Sequence, residues 1–182
     1  MAAAIGLVEF SSISRGIYGA DKMVKASEVK IVTAQTICPG KYIVLVQGEV
    51  SAVEDSVHVG EAAADEYLVD SLIIPNVHED IFPAISGAAN PEALEAVGIF
   101  ETFSAAAMIT AADEILKAAD LSAIEIRLGT GLGGKACFTY TGDVASVNAG
   151  TAAGLKAAGK HGLVVNTEVI PAPSEKLKEF LL

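Results

Sequence analysis

A mixed α/β (α+β) fold is predicted: two tandem domains of ferredoxin-like size, each a four-stranded β-α-β-β-α-β sheet with both helices on one face. Three features of the sequence predict it. The two halves repeat one another, apolar runs with strand and helix periods follow one order in each half, and the composition is apolar but poor in aromatics. Slid so that Ile5 falls on Val97, Ile5-Gly6-Leu7-Val8-Glu9-Phe10 lies over Val97-Gly98-Ile99-Phe100-Glu101-Thr102. Ala20-Asp21-Lys22-Met23-Val24-Lys25-Ala26 then lies over Ala112-Asp113-Glu114-Ile115-Leu116-Lys117-Ala118. After short insertions Gly40-Lys41 meets Gly134-Lys135, and Leu72-Ile73-Ile74-Pro75 meets Glu168-Val169-Ile170-Pro171. A repeat too long for a solenoid unit means tandem domains. The first spans residues 1–85, the second 96–182, and the linker 86–95 opens with the turn-forming Ser86-Gly87-Ala88-Ala89-Asn90-Pro91.

Within the first copy, Ala4 to Phe10 is a nearly continuous apolar run, as a buried strand would be, and Ser11 or Ser12 can cap the helix that follows. That helix, about Ile13 to Ser27, sets Ile13, Ile17, Ala20 and Val24 on one stripe with the spacing of an amphipathic face. Val29 to Ile37 and Lys41 to Gln47 form a strand pair rich in Val and Ile, broken at Pro39-Gly40. Gly48-Glu49-Val50 turns into a second helix reaching about Tyr67, and Leu68 to Pro75 is the last strand, followed by a short terminal helix. The second copy repeats this order from Val97 to Pro171.

Mean hydropathy is +0.48, yet no apolar run approaches the ~18 residues needed to span a bilayer, so a large buried interface between chains is expected. Open sheets of this size also leave edges to cover, which points the same way. A net charge of −11 argues against wrapping a phosphate backbone, so nucleic acid is not expected as a partner, and neither is a membrane. Met1-Ala2-Ala3-Ala4-Ile5 lacks a basic segment and does not read as a signal peptide, which with two cysteines favours a cytoplasmic chain with reduced thiols.

Several motifs carry chemistry and a plainer alternative. Cys38 lies in Thr36-Ile37-Cys38-Pro39-Gly40-Lys41; one thiol is too few for a metal unless several chains contribute, and by position alone it is a small residue in a turn. Cys137, inside the strand Ala136-Cys137-Phe138-Thr139-Tyr140, reads as a small core residue, aligned with Ile43. Gly129, Gly131 and Gly134 of Gly129-Thr130-Gly131-Leu132-Gly133-Gly134-Lys135 satisfy G-x-G-x-x-G, and Gly129 with Gly134-Lys135 nearly satisfies the phosphate-loop pattern, but both need a helix next and Ala136 onward reads as a strand. His58, His78 and His161 show no ligand spacing and read as surface or capping residues. Glu9 and Glu101 recur without a visible acid–base partner, so catalysis has no constellation to support it and no enzyme is expected.

Taken together, the repeat, the segment Asp21-Lys22-Met23-Val24-Lys25-Ala26-Ser27 and the closing strand Leu68-Val69-Asp70-Ser71-Leu72-Ile73-Ile74-Pro75-Asn76-Val77-His78 resemble the bacterial microcompartment shell proteins of the tandem-domain, trimeric type. Within them the Cys38 hexapeptide most resembles the iron–sulfur-bearing tandem shell proteins of propanediol-utilisation compartments. The resemblance implies microcompartment shell domains and a homotrimer that imitates a hexamer, a structural tile located in a cytoplasmic shell. It implies a pore lined by Ile37, Cys38, Pro39, Gly40, Thr130, Gly131, Leu132 and Gly133, and tile-edge contacts by Lys25 and Lys117. The family's common Pro-Arg-Pro-His is here Pro75-Asn76-Val77-His78 and Pro171-Ala172-Pro173-Ser174, without Arg in either copy.

Three Cys38 thiolates on the three-fold axis could hold three irons of a four-iron four-sulfur cluster, one per trimer, leaving the fourth to a non-protein ligand. The counterpart loop after Thr130 has no cysteine, so a trimer presents three thiols rather than six. The expected roles are electron transfer across the shell or cluster delivery. Expected partners are other shell proteins at the tile edges and an encapsulated redox enzyme or external electron carrier. The alternatives are a shell pore conducting a small metabolite without a cluster, and a trimeric small-ligand-binding regulator.

Overall fold

The computed structural model describes residues 4–159 and 163–181. Its chain divides into two units between Val77 and His78, so residues 78–85, which the sequence reading places in the first domain, stand with the second. Unit 1 contains β1 (Ala4–Phe10), α1 (Ile13–Ala26), β2 (Lys30–Ile37), β3 (Lys41–Gly48), α2 (Val50–Ala64) and β4 (Leu68–Ile74). Unit 2 starts with α3 (Ile81–Ser86) and repeats the order as β5 (Ala96–Thr102), α4 (Ala105–Ala118), β6 (Ser122–Leu128), β7 (Ala136–Gly142), α5 (Val144–Gly159) and β8 (Val164–Ile170), closing with α6 (Glu175–Lys178).

Each unit holds one antiparallel four-stranded sheet, ordered β2-β3-β1-β4 and β6-β7-β5-β8. The registers repeat residue for residue. Ile5 stands opposite Ile74 as Val97 stands opposite Ile170, and both central strands slip register at their ends, between Glu9 and Phe10 and between Glu101 and Thr102. The helix starts repeat as well: Ser12 Oγ accepts from the Arg15 N–H at 3.4 Å, and Ser104 Oγ from the Ala107 N–H at 3.1 Å. Each satisfies a first-turn donor that would otherwise lack an intrahelical partner.

Of the α1 stripe read from the sequence, Ala20 is buried but Ile13, Ile17 and Val24 are exposed. The buried face is Gly16, Gly19, Ala20 and Met23 instead. A side chain at Gly16 would run into the Tyr42 ring and one at Gly19 into the Phe10 ring, so the helix lies too close to the sheet for anything larger. Periodicity locates an apolar stripe but does not register that two large strand residues need glycines opposite them. α2 lies alongside α1, with Ser56 Oγ donating to the Met23 carbonyl at 3.2 Å, over a core that includes Val8, Phe10, Val44, Val46, Val53 and Val57.

In unit 2 the same layers are held by a polar link. The buried Tyr140 hydroxyl and Thr151 Oγ1 are 2.6 Å apart, joining β7 to α5, and Gly98 on β5 sits directly against the Tyr140 ring. No helix among the described residues is long and apolar enough to cross a membrane.

Candidate functional site

Cys38 occupies the tip of the β2–β3 hairpin. Lys41 onward returns antiparallel, Ile37 opposite Lys41, because Pro39 withholds a ladder N–H and Gly40 takes φ +73°, a left-handed conformation that a side chain resists. The Cys38–Pro39 peptide is cis. Ile37 is buried, Cys38 is a free, half-buried thiol, and Pro39 and Gly40 are exposed. A Cβ built on Gly40 meets nothing within 4 Å, so the far side of the turn is open.

The corresponding tip in unit 2 is the loop between β6 and β7. Gly129, Gly131, Gly133 and Gly134 all take positive φ there. Thr130, Gly131 and Gly133 are exposed and Leu132 is half-buried. The chain leaves this loop into β7, not a helix, so the stacked N–H groups that a phosphate needs at a helix start are missing. The predicted pore residues of each half therefore collect at one hairpin tip per unit.

Beneath both tips lies an ion pair that sequence reading missed. Lys41 Nζ is 2.7 Å from Glu9 Oε1, and Lys135 Nζ is 3.3 Å from Glu101 Oε2. The recurring glutamates thus have partners, the lysines that recur beside Gly40 and Gly134. Register explains the contact. Glu9 stands opposite Ile43 and Glu101 opposite Cys137, so each lysine is the diagonal cross-strand neighbour of its carboxylate. The repeat held the signal, since both members recur, but without the register nothing linked them.

Cys137 is half-buried rather than a full core residue, unlike Ile43 at the equivalent site. Its thiol is pushed above the ordinary range by burial first and by the neighbouring Glu101 carboxylate second. Lys25 and Lys117 each reach back one turn, 2.7 Å to Asp21 and 2.6 Å to Asp113. His58 is exposed on α2. His78 acts as a cap: its Nδ1 accepts from the Asp80 N–H at 3.3 Å, and its own N–H donates to Asp113 Oδ1 at 2.8 Å. His161 lies outside the described residues. Among the described residues no group of three or more His, Cys, Asp or Glu is placed to hold a metal ion within one chain.

The family model described as the BMC domain matches the chain twice, over residues 4–77 and 96–173. The chain is 40% identical over 177 residues to the bacterial microcompartment shell protein PduT of Citrobacter freundii, covering 97% of this chain and 96% of that one. It is 33% identical over 93 residues to the carboxysome shell protein CsoS1C of Hydrogenovibrio crunogenus, a match that takes in 49% of this chain and 91% of its relative. Among solved structures, a microcompartments protein from Desulfitobacterium hafniense DCB superimposes with a TM-score of 0.94 at 47% identity, over 98% of this chain and 99% of that chain.

Proposed function

This chain belongs to the BMC-domain family of microcompartment shell proteins, and from that premise we propose that three copies close into a pseudohexameric tile whose central opening holds a four-iron four-sulfur cluster on Cys38 of each copy. The tile is a structural part of a bacterial microcompartment shell, abutting other shell proteins at its edges, with Lys25 and Lys117 as edge contacts. The observation that carries the cluster reading is the placement of Cys38. It is a free thiol at the tip of a hairpin whose flanking Pro39 and Gly40 are exposed and unobstructed.

The donor set suits such a group. Thiolate is the usual ligand of iron–sulfur clusters, and three of the four irons would be met by one cysteine per copy. Because no chain brings together several metal-ligating side chains among its described residues, a protein-held metal at Cys38 draws on more than one copy. When bound, the cluster supplies one-electron transfer, across the shell or to an enclosed redox enzyme. It could equally be delivered to that enzyme. The chain's own part is to hold the turn in place, which the pair of the buried Glu9 carboxylate with the partly exposed Lys41 beneath the hairpin tip does.

A pore that passes a small metabolite without a cluster is the second reading, favoured by the open space around Gly131 and Gly133. Anaerobic purification decides between them. About four irons and four sulfides per three chains, with broad visible absorbance that Cys38→Ser abolishes at unchanged native mass, is the expected result. Absence of iron and absorbance after anaerobic reconstitution would overturn the cluster, and a monomer by native mass would overturn the tile.

A further inference from the structure

The ion pair beneath the Cys38 tip is more than packing requires. Glu9 stands opposite Ile43, on the sheet face that also carries Leu7 and Leu45, and these three apolar side chains are fully buried. A carboxylate in that position loses most of its water, and exchanging a buried ion pair for apolar side chains of like volume is often neutral or stabilising. Stability alone therefore gives no reason for the pair.

Its placement gives one. Lys41 is rooted at the turn, opposite Ile37, and Glu9 is rooted two residues deeper, opposite Ile43. Along the strand this sets the root of the cation nearer the thiol by roughly 7 Å. The same pair recurs beneath the Gly129–Gly134 tip, but there both partners stand partly in water and 3.3 Å apart, whereas Glu9 is buried and 2.7 Å from Lys41. A charge away from water acts on its surroundings several times more strongly than one that water and salt screen. The tip that bears the thiol is thus the tip with the less screened pair.

Resting on the cluster reading above, we propose that Glu9 and Lys41 set the reduction potential of the group held by Cys38. One-electron reduction, by the electron carrier or enclosed redox enzyme of that reading, adds one negative charge to the cluster and neither forms nor breaks a bond. Lys41, rooted nearer the thiol, favours the added charge, and Glu9 opposes it. Three copies meet at one opening, so each side chain acts three times on a single cluster. Glu101 and Lys135 lie under the tips without a thiol and act weakly, because solvent screens them.

Redox titration of the anaerobically purified protein tests this, followed by visible absorbance once iron, sulfide and native mass have been measured for each variant. At a fixed applied potential, Glu9→Gln is expected to raise the ratio of reduced to oxidised cluster about tenfold, ~59 mV for a one-electron couple. Glu9→Gln combined with Lys41→Met is expected to lower that ratio below the wild-type value, and Glu101→Gln to change it by about twofold or less. Opposite signs from the two members of one pair mark an electrostatic role, since a merely structural one shifts both variants alike. An unmoved ratio in Glu9→Gln, the same direction in both variants, or an equal shift from Glu101→Gln refutes the proposal while the cluster reading stands. Wild-type protein without iron after reconstitution refutes the cluster reading, and this proposal with it. Should Glu9→Gln lose the cluster, Lys41→Arg is expected to keep the wild-type ratio and Lys41→Met to lower it about tenfold. Equal ratios in those two variants refute the proposal.

Discussion

Replacing Lys41 by Met should cost this protein far more than the same change at Lys135, although the two lysines are repeat equivalents. Both substitutions keep the aliphatic length and remove the charge. The Glu9 side chain left behind at the first site is only 4% exposed, whereas that of Glu101 is 32% exposed and its lysine is 3.3 Å away. Stranding a fully buried charge costs ~3–5 kcal/mol. Lys41 keeps part of its side chain in water, which lowers its share, so about 2 kcal/mol is expected for Lys41→Met. Lys135→Met falls in the range of exposed pairs, ~0.5 kcal/mol or less. The first corresponds to roughly a 30-fold change in the local opening equilibrium, the second to about twofold. Hydrogen exchange followed by mass spectrometry in a urea series resolves the units separately: β1 and β3 peptides report the first site, β5 and β7 peptides the second. Glu9→Gln combined with Lys41→Met should recover most of the loss, because no buried charge then remains. Equal losses in the two single variants, or no recovery in the double, would refute the reasoning.

Gly98→Ala should destabilise unit 2 by about 2–4 kcal/mol, since the new methyl meets the Tyr140 ring, comes within 2.8 Å of its hydroxyl and disturbs the bond to Thr151; β5 and β7 exchange measures it. Asp143 accepts from the Ser146 N–H and hydroxyl, which hold its carboxyl below the usual range. Its stabilising effect at the start of α5 is present above the unfolded carboxylate pKa of about 3.9 and fades as pH falls through the lower folded value. Protection factors for the first turn of α5 should therefore drop only below about pH 4, and Asp143→Asn should remove that step. Alkylation of Cys137 should rise at a pH above the ~8.5 of an unperturbed thiol, and Glu101→Gln should move that rise downward.

Much of the fold is legible because its determinants are local. Strand and helix periods, serine caps and the Pro39-Gly40 break lie within a few residues of what they control, and the repeat doubles each observation. The candidate site is legible to the same depth. The sequence locates Cys38 at a hairpin tip and shows its counterpart loop to lack a thiol, because turn chemistry and repeat alignment suffice for both. Its supporting ion pairs are not legible. Glu9 and Lys41 meet only because β1 lies beside β3 in one register, a relation between segments far apart in the chain.

By itself the sequence determines that one unit is written twice, in what order its strands and helices run, and that an apolar stripe runs along α1. Which face of that helix is buried belongs to the tertiary structure. Phe10 and Tyr42 fill the space above the sheet and leave room only for glycine at positions 16 and 19, so α1 approaches it through Gly16, Gly19, Ala20 and Met23, and the stripe of Ile13, Ile17 and Val24 is turned outward. Periodicity measures how apolar a face is, while burial depends on the size of what stands opposite.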